Sequence, residues 1–193
     1  MNTRMTTLIA AGLLGGSLAL AGCSTADEPA EPSASQSEDA HGGHGGHDGM
    51  EHPADGGPVP EGMTEAADPE YPVGTKVTLT ADHMDGMNGA TATIVSAYDT
   101  YTYAIDYTPV GGGEPVTDHK WVVQEEFQNP GDERLADGTE VTVTADHMDG
   151  MDGATATIAS STDETVYVVD YEADGMEMTN HKWVVESEIQ PAS

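Results

Sequence analysis

Basic residues are the scarcest class in this chain, which has 5 Lys and Arg side chains against 35 Asp and Glu and a formal net charge of −30. A surface this acidic repels phosphate backbones and concentrates cations, so nucleic acid is excluded as a partner. High acidity also serves solubility in general, so the charge alone does not assign a function.

Cysteine is almost absent too, because Cys23 is the single one in the chain, and an internal disulfide framework is therefore excluded. Cys23 ends the sequence Leu20-Ala21-Gly22-Cys23, which follows Arg4 and an apolar run from Leu8 to Leu20 and resembles a bacterial lipoprotein signal. That run is too short and too rich in glycine to span a membrane stably. We expect residues 1–22 to be a signal peptide and Cys23 to be lipidated, anchoring the chain at the extracytoplasmic face of the cell membrane. The alternative is an ordinary secretory signal with an incidental cysteine.

Large aliphatic residues are few from Ser24 to Asp68, where Pro, Ala, Ser, Gly and acidic residues dominate. Such a stretch buries too little apolar surface to offset the entropy of ordering, so residues 23–68 are predicted to be a disordered acidic tether. The tether contains four histidines separated mostly by glycine, which is typical of a flexible metal-binding tract; the alternative is a soluble spacer with incidental histidines. These histidines are His41, His44, His47 and His52.

One octapeptide occurs twice in the rest of the chain. Thr80-Ala-Asp-His-Met-Asp-Gly-Met87 recurs 64 residues later as Thr144-Ala-Asp-His-Met-Asp-Gly-Met151. This offset is too long for a solenoid unit and suits two small domains of one fold, which we place at 69–129 and 130–193.

Helical periodicity is lacking throughout both repeats, whereas polar and apolar residues alternate in short runs such as Lys76–Thr80, Ala90–Val95 and Tyr101–Tyr107. Glycine-rich turns separate these runs. The pattern predicts an all-β fold of two tandem small barrels, and the order of strands and glycines resembles the opening of SH3-like barrels of the KOW type.

The octapeptide pairs histidine with methionine in a glycine-containing loop. Imidazole beside a soft thioether favours Cu(I), tolerates Cu(II) and has little attraction for hard cations. The glycine permits a reversal that would bring His83 and Met87, or His147 and Met151, onto one ion. The alternative is that these methionines only plug the open end of a barrel core.

His119 and His181 begin the sequence His-Lys-Trp-Val-Val in the two repeats. They would complete a site with the His-Met loop if this fourth strand lies beside it. The alternative is a structural histidine that hydrogen-bonds the backbone and supports Trp121 or Trp183.

Several motifs together resemble the YdhK-type domain of unknown function, which usually occurs as a tandem pair in surface lipoproteins of Gram-positive bacteria. They are Gly-Thr-x-Val, Asp-His-Met-x-Gly-Met-x-Gly-Ala-x-Ala-Thr-Ile, Tyr-x-x-Asp-Tyr and His-Lys-Trp-Val-Val, and they cover about Pro72 to Gln190. Some members look like copper-binding lipoproteins that contribute to copper resistance. The resemblance implies an extracellular, membrane-anchored copper-binding protein; the ligands named above come from their chemistry alone.

We therefore expect a non-enzymatic protein that sequesters copper, preferentially Cu(I), at the cell surface. The open alternatives for a further partner are a copper exporter and the cell wall. The rival hypothesis is an SH3-like pair that binds the cell wall or another protein. Exposed side chains of Tyr98, Tyr101 and Tyr107 would favour this hypothesis. An enzyme is disfavoured because the chain has no free cysteine nucleophile and no Gly-x-Ser-x-Gly motif.

Overall fold

The structure, a computed structural model, describes residues 53–192. It contains nine β-strands and two short 3-10 helices, η1 and η2, and no α-helix within that range. None of the helices there is long and apolar enough to cross a membrane. The elements are β1 (Lys76–Leu79), β2 (Thr91–Asp99), β3 (Thr102–Tyr107), β4 (Val116–Val123), η1 (Gln124–Glu126), β5 (Glu140–Thr142), β6 (Thr155–Thr162), β7 (Thr165–Ala173), β8 (Met176–Val185), η2 (Glu186–Glu188) and β9 (Ile189–Pro191).

The strands form two antiparallel sheets, and the predicted all-β fold is confirmed. Sheet 1 has the order β8-β7-β2-β1-β9 and sheet 2 the order β4-β3-β6-β5. Strands β1 to β4 belong to the first repeat and β5 to β9 to the second, so each sheet combines the two repeats. The central pairings are β2 with β7, from Ala92↔Tyr171 to Asp99↔Thr165, and β3 with β6, from Thr102↔Thr162 to Tyr107↔Ala156.

The two repeats thus exchange strands, so that each sheet contains strands of both. This exchange differs from the expectation of one self-contained barrel in each of the ranges 69–129 and 130–193. Neither sheet closes on itself, and neither is built from one repeat. Strand pairing could not be predicted from alternation, because alternation shows which side chains face inward but not which strand is the hydrogen-bonded neighbour of another.

The exchange has a local cause in the two-residue connections between β2 and β3 and between β6 and β7. These are Thr100-Tyr101 and Asp163-Glu164, whereas two-residue hairpin turns need positive φ angles and favour Asn-Gly or Asp-Gly. The β7–β8 connection does have Asp174-Gly175, with φ of 53° and 78°, and it forms a tight hairpin that pairs Ala173 with Met176. Where the turn sequence is unsuited to a hairpin, the chain instead continues into the other sheet.

Three apolar clusters form the core. One belongs to sheet 1, one to sheet 2, and the third is shared between the sheets. The shared cluster contains both tryptophans, with Trp183 fully buried and Tyr98 edge-on to it at a centroid distance of 6.1 Å. Its members are Tyr98, Ala104, Trp121, Val123, Val166, Val168, Trp183 and Val185. The sheets are therefore joined by burial of apolar surface as well as by covalent connections.

Residues 53–68, predicted as the end of the tether, lie against both β8 and β2. The Thr179 N–H donates to the Ala54 carbonyl at 2.8 Å, and the Ala66 N–H donates to the Ala97 carbonyl at 3.0 Å. Val59 and Met63 pack on the shared cluster, so this part of the segment buries apolar side chains. The predicted signal peptide, Cys23 and the four tether histidines lie outside the described residues.

Candidate functional site

The octapeptides form the loops between β1 and β2 and between β5 and β6, and each loop packs against a connection from the other repeat. Gly86 has φ of 75°, and a Cβ there would lie 2.7 Å from an Asp174 carboxylate oxygen. Gly150 also has φ of 75°, and a Cβ there would lie 2.9 Å from Cβ of Pro109. Both positions combine a left-handed backbone with a close contact, which explains the glycine.

The two methionines of each octapeptide have different surroundings. Met87 and Met151 are fully buried in the cores of sheets 1 and 2, as the alternative of a core plug had anticipated. The sulfur of Met84 accepts a hydrogen bond from the Tyr171 hydroxyl at 3.7 Å, and Met148 accepts one from Tyr107 at 3.9 Å. The sequence had favoured Met87 and Met151 as ligands, but it is Met84 and Met148 that contact the polar tyrosine tips.

His119 and His181 lie against these same tyrosines. The His119 ring is 5.9 Å from the Tyr107 ring and 6.3 Å from the His147 ring, measured between centroids. The His181 ring is 5.4 Å from the Tyr171 ring, edge-on, and both histidines are buried. The fourth strand of each repeat therefore does lie beside a His-Met loop, but the loop is that of the other repeat.

Two related groups of side chains result. We call Met84, Tyr171 and His181, together with His83 beside Met84 in the chain, the sheet-1 cluster, and His147, Met148, Tyr107 and His119 the sheet-2 cluster. The His83 ring itself lies 6.2 Å from the Trp121 ring. Each cluster takes its loop residues from one repeat and its strand residues from the other. Neither cluster can form within a single repeat.

A glutamate anchors the octapeptide histidine of the sheet-2 cluster. Nε2 of His147 lies 2.7 Å from Oε1 of Glu126, whose Oε2 accepts hydrogen bonds from Trp183 Nε1 at 2.9 Å and from the Val123 N–H at 3.1 Å. The sheet-1 cluster has the same arrangement: His83 Nε2 lies 2.8 Å from Glu188, and Trp121 Nε1 donates to that carboxylate at 2.9 Å.

The Glu126 carboxylate fixes how the His147 ring can act. Burial raises the pKa of Glu126, but the His147 ring and the hydrogen bonds from Trp183 and Val123 outweigh burial, and the pKa lies below its usual value. An ionised carboxylate only accepts hydrogen bonds, so His147 Nε2 carries the proton and donates it. In the neutral ring, Nδ1 then keeps its lone pair for another partner, as in histidines that bind metals.

Burial raises the pKa of Tyr107 and of Tyr171, so both hydroxyls remain protonated at neutral pH and act as donors to sulfur. The nitrogen and sulfur atoms are therefore the candidate donors to an ion. Within residues 53–192 no three His, Cys, Asp or Glu side chains converge in a way that could hold a metal. A metal site in either cluster would need methionine sulfur to complete it.

Sequence reasoning missed Glu126 and Glu188 because they were two carboxylates among 35 acidic residues. The repeat comparison contained a signal for them, since both repeats carry Trp-Val-Val followed by Glu at the fifth position after Trp. That spacing places each glutamate at the end of a 3-10 helix, beside the histidine of the other repeat's loop.

An acidic cleft lies apart from both clusters, at the connections between the sheets. It is lined by Asp99, Glu125, Asp132, Asp163 and Glu164 among others, and none of its lining residues is histidine or methionine. The cleft and the predicted site residues are therefore different parts of the described surface.

Comparisons with known proteins point to one family. The family described as "Protein of unknown function (DUF1541)" matches residues 73–124 and 137–186. The uncharacterized protein YdhK of Bacillus subtilis (strain 168) is 50% identical over 133 residues, which are 68% of this chain and 65% of that protein. The chain thus spans about two thirds of the length of this curated relative.

Solved structures of the same relative are similar in fold. A crystal structure of the DUF1541 family protein ydhK from Bacillus subtilis has a TM-score of 0.69 at 48% identity and covers 70% of this chain and 94% of its own. A solution NMR structure of the ydhK C-terminal domain has a TM-score of 0.60 at 48% identity and covers 62% and 92%.

Proposed function

We propose that this chain, which belongs to the family of unknown function DUF1541 and carries its domain twice, is a membrane-anchored lipoprotein that sequesters copper. The predicted YdhK-type tandem pair is confirmed by the family match and the similar structures. The observation that carries the copper proposal is the His147 ring, which is hydrogen-bonded at Nε2 to buried Glu126, lies 6.3 Å from the His119 ring and precedes Met148 in the chain.

The donor set of the clusters fits copper. Each cluster offers imidazole nitrogen and one thioether, which is the combination that Cu(I) prefers and that zinc or hard cations do not require. The carboxylate behind the histidine is the supporting group that metal-binding histidines usually have. When bound, copper would be held by the histidines and by Met84 or Met148, and the protein would keep it from reacting elsewhere.

The rest of the chain supports the same role. Its formal net charge of −30 raises the local concentration of cations. His41, His44, His47 and His52 would capture ions, and the lipid at Cys23 would hold the protein at the extracytoplasmic face of the membrane. The role is binding rather than catalysis, so no copper chemistry beyond retention is needed.

The rival wall-binding function gains no support from the tyrosines. Tyr98 and Tyr107 are buried at 7% and 4% exposure, and Tyr101 is half-buried. They lack the exposed aromatic surface that carbohydrate or protein binding would use.

For the finer fold, we propose that each sheet is an open SH3-like barrel, with the strand order of that fold, assembled from strands of both repeats. The order β9-β1-β2-β7-β8 supports this, because the last strand pairs with the first and the others follow as a meander. In sheet 2, the Phe127↔Val143 bridge is the counterpart of the β9–β1 pairing in sheet 1.

The copper proposal is tested by competition titrations of the mature chain with Cu(I) and Zn(II). We expect Cu(I) to bind much more tightly than Zn(II), and the double variants H83A/M84A and H147A/M148A each to lose part of the Cu(I) capacity. The matched control is M87L/M151L, which keeps the core filled and tests the ligands favoured by the sequence.

A variant with the four tether histidines replaced by serine separates the tract from the clusters. Equal affinity for the two metals, or undiminished Cu(I) capacity when both double variants are combined, would overturn the proposal.

A further inference from the structure

We infer that the two clusters are unequal copper sites, and that the sheet-1 cluster is the tighter and more selective Cu(I) site because Met178 adds a second thioether to it. This inference rests on the proposed copper function and assigns the stronger preference for Cu(I) to the sheet-1 cluster. Met178 stands opposite Tyr171 in the β7–β8 register, whereas Val116 stands opposite Tyr107 in the β3–β4 register. The two repeats thus differ in one soft donor at the same position.

Met178 and Met84 both pack in the sheet-1 core, and each has Tyr171 as a neighbour. Met178 is buried at 4% exposure in the sheet-1 core, against which Met84 also packs. Tyr171 pairs with Met178 across β7 and β8 and donates its hydroxyl proton to the sulfur of Met84 in the loop. A second thioether shifts the preference of a histidine-containing site further toward Cu(I) and away from Cu(II) and zinc. In the sheet-2 cluster the position is aliphatic, and the nearby donors are His119, His147 and Met148.

The approach from solvent differs as well. Met176, two residues before Met178 on β8, is 62% exposed, and alternate residues of a strand face the same side. It therefore offers a thioether to an arriving ion at the edge of the sheet-1 cluster. The β4 strand begins at Val116, preceded by Glu114 and Pro115, and offers no such residue.

The edges of β8 and β4 also differ in what covers them. Residues Ala54 and Gly56 pair with Thr179 on β8, and a Cβ at Gly56 would lie 2.0 Å from the Asn180 carbonyl oxygen. On β4, Thr117 and Asp118 are exposed. At its histidine strand the sheet-1 cluster is thus the more enclosed, with His181 at 2% exposure against 9% for His119. At its loop it is the more open, because Met84 is half-buried whereas Met148 is buried.

The test uses the mature chain with ¹³C-labelled methionine methyl groups, titrated with Ag(I) as a redox-stable probe for Cu(I). We expect the methyl signals of Met84 and Met178 to shift at the first equivalent and that of Met148 at the second, while Met87 and Met151 stay nearly unchanged. Assignments come from single Met→Leu variants.

Reciprocal variants then exchange the differing residue. M178V is expected to weaken the tighter Cu(I) affinity by about tenfold, an effect of the size seen when a supporting group of a metal site is lost. V116M is expected to strengthen the weaker affinity by about as much. Circular dichroism and a Cu(II) titration of each variant check that the fold and the His-based site persist.

The possible results separate this inference from the copper function itself. If copper binds but the Met178 methyl signal stays unchanged while Met84 shifts, or if the two affinities are equal in the wild type, the inference is wrong and the copper function stands. If neither Ag(I) nor Cu(I) binds and no methionine signal shifts, the copper function fails and the inference falls with it. If V116M does not fold, the wild-type Met178 signal still decides the question.

Discussion

Replacing Glu126 by alanine removes the carboxylate that receives three hydrogen bonds at the boundary between the two sheets. Its side chain is only 4% exposed, and the donors are His147, Trp183 and the Val123 N–H. Glu188 receives the equivalent bonds from His83, Trp121 and Val185, but its side chain is 15% exposed. The chain thus supplies a matched control for the same network in a wetter place.

The cost follows from the donors left behind. Each buried N–H without a partner costs about 1–3 kcal/mol, and the Glu126 carboxylate accepts from three such donors. We expect Glu126→Ala to lower the free energy of unfolding by about 3–5 kcal/mol. Glu188→Ala leaves donors that water can reach, so we expect a loss of about 1–2 kcal/mol.

Urea unfolding at pH 7, followed by tryptophan fluorescence, measures both losses, and the slope with denaturant should stay constant between variants. In thermal unfolding, the Glu126→Ala loss corresponds to a fall in Tm of roughly 10–20 °C for a domain of this size. A Glu188→Ala loss equal to or larger than that of Glu126→Ala would show that burial does not govern the network, and would refute the reasoning.

Three further predictions concern pH, the N-terminal segment and the exchange of halves. Because the pKa of Glu126 is lowered in the folded protein, the stabilisation by its carboxylate is complete above the unfolded pKa of roughly 4.3 and is lost as pH falls through the lower folded pKa. The difference in unfolding free energy between wild type and Glu126→Ala should therefore be smaller at pH 3 than at pH 7. An equal difference at the two pH values would contradict this. Gly56→Ala puts a Cβ 2.0 Å from the Asn180 carbonyl oxygen, so hydrogen exchange at the Thr179 amide should speed up by about tenfold or more, with exposed Glu61→Ala as the control. In residues 130–193 alone, β6 and β7 keep β5 and β8 but lose β3 and β2, so light scattering should find a dimer or an unfolded chain, and a folded monomer would count against the exchange.

Much of the fold was predictable from local patterns. Alternation identified the strands, and Asp174-Gly175 marks a tight hairpin by its composition. The pairing of β2 with β7 was not predictable in the same way, because the two repeats present nearly the same inward faces. Either repeat can supply the neighbour of β2, and the choice depends on the two-residue connections rather than on the strands.

The candidate site was predictable in kind but not in detail. The sequence left open whether the His-Met loop lies beside the His-Lys-Trp strand, and the structure brings His147 next to His119. Which methionine of a loop turns toward the core depends on backbone dihedrals that sequence spacing does not fix outside regular elements. Met87 fills the core, and Met84 contacts Tyr171.

The exchange of halves constrains how proteins of this architecture can change their number of repeats. Thr80–Ile94 and Thr144–Ile158 differ at a single position, Asn88 against Asp152, so recombination between the two coding stretches would remove one repeat of 64 residues in frame. The shortened product would keep every strand type, but its β2-type and β3-type strands would each lose the neighbour that the other repeat supplies, leaving exposed sheet edges that invite pairing. Such a product could complete its sheets only with a second chain, so viable lineages should gain or lose these repeats two at a time or become dimers.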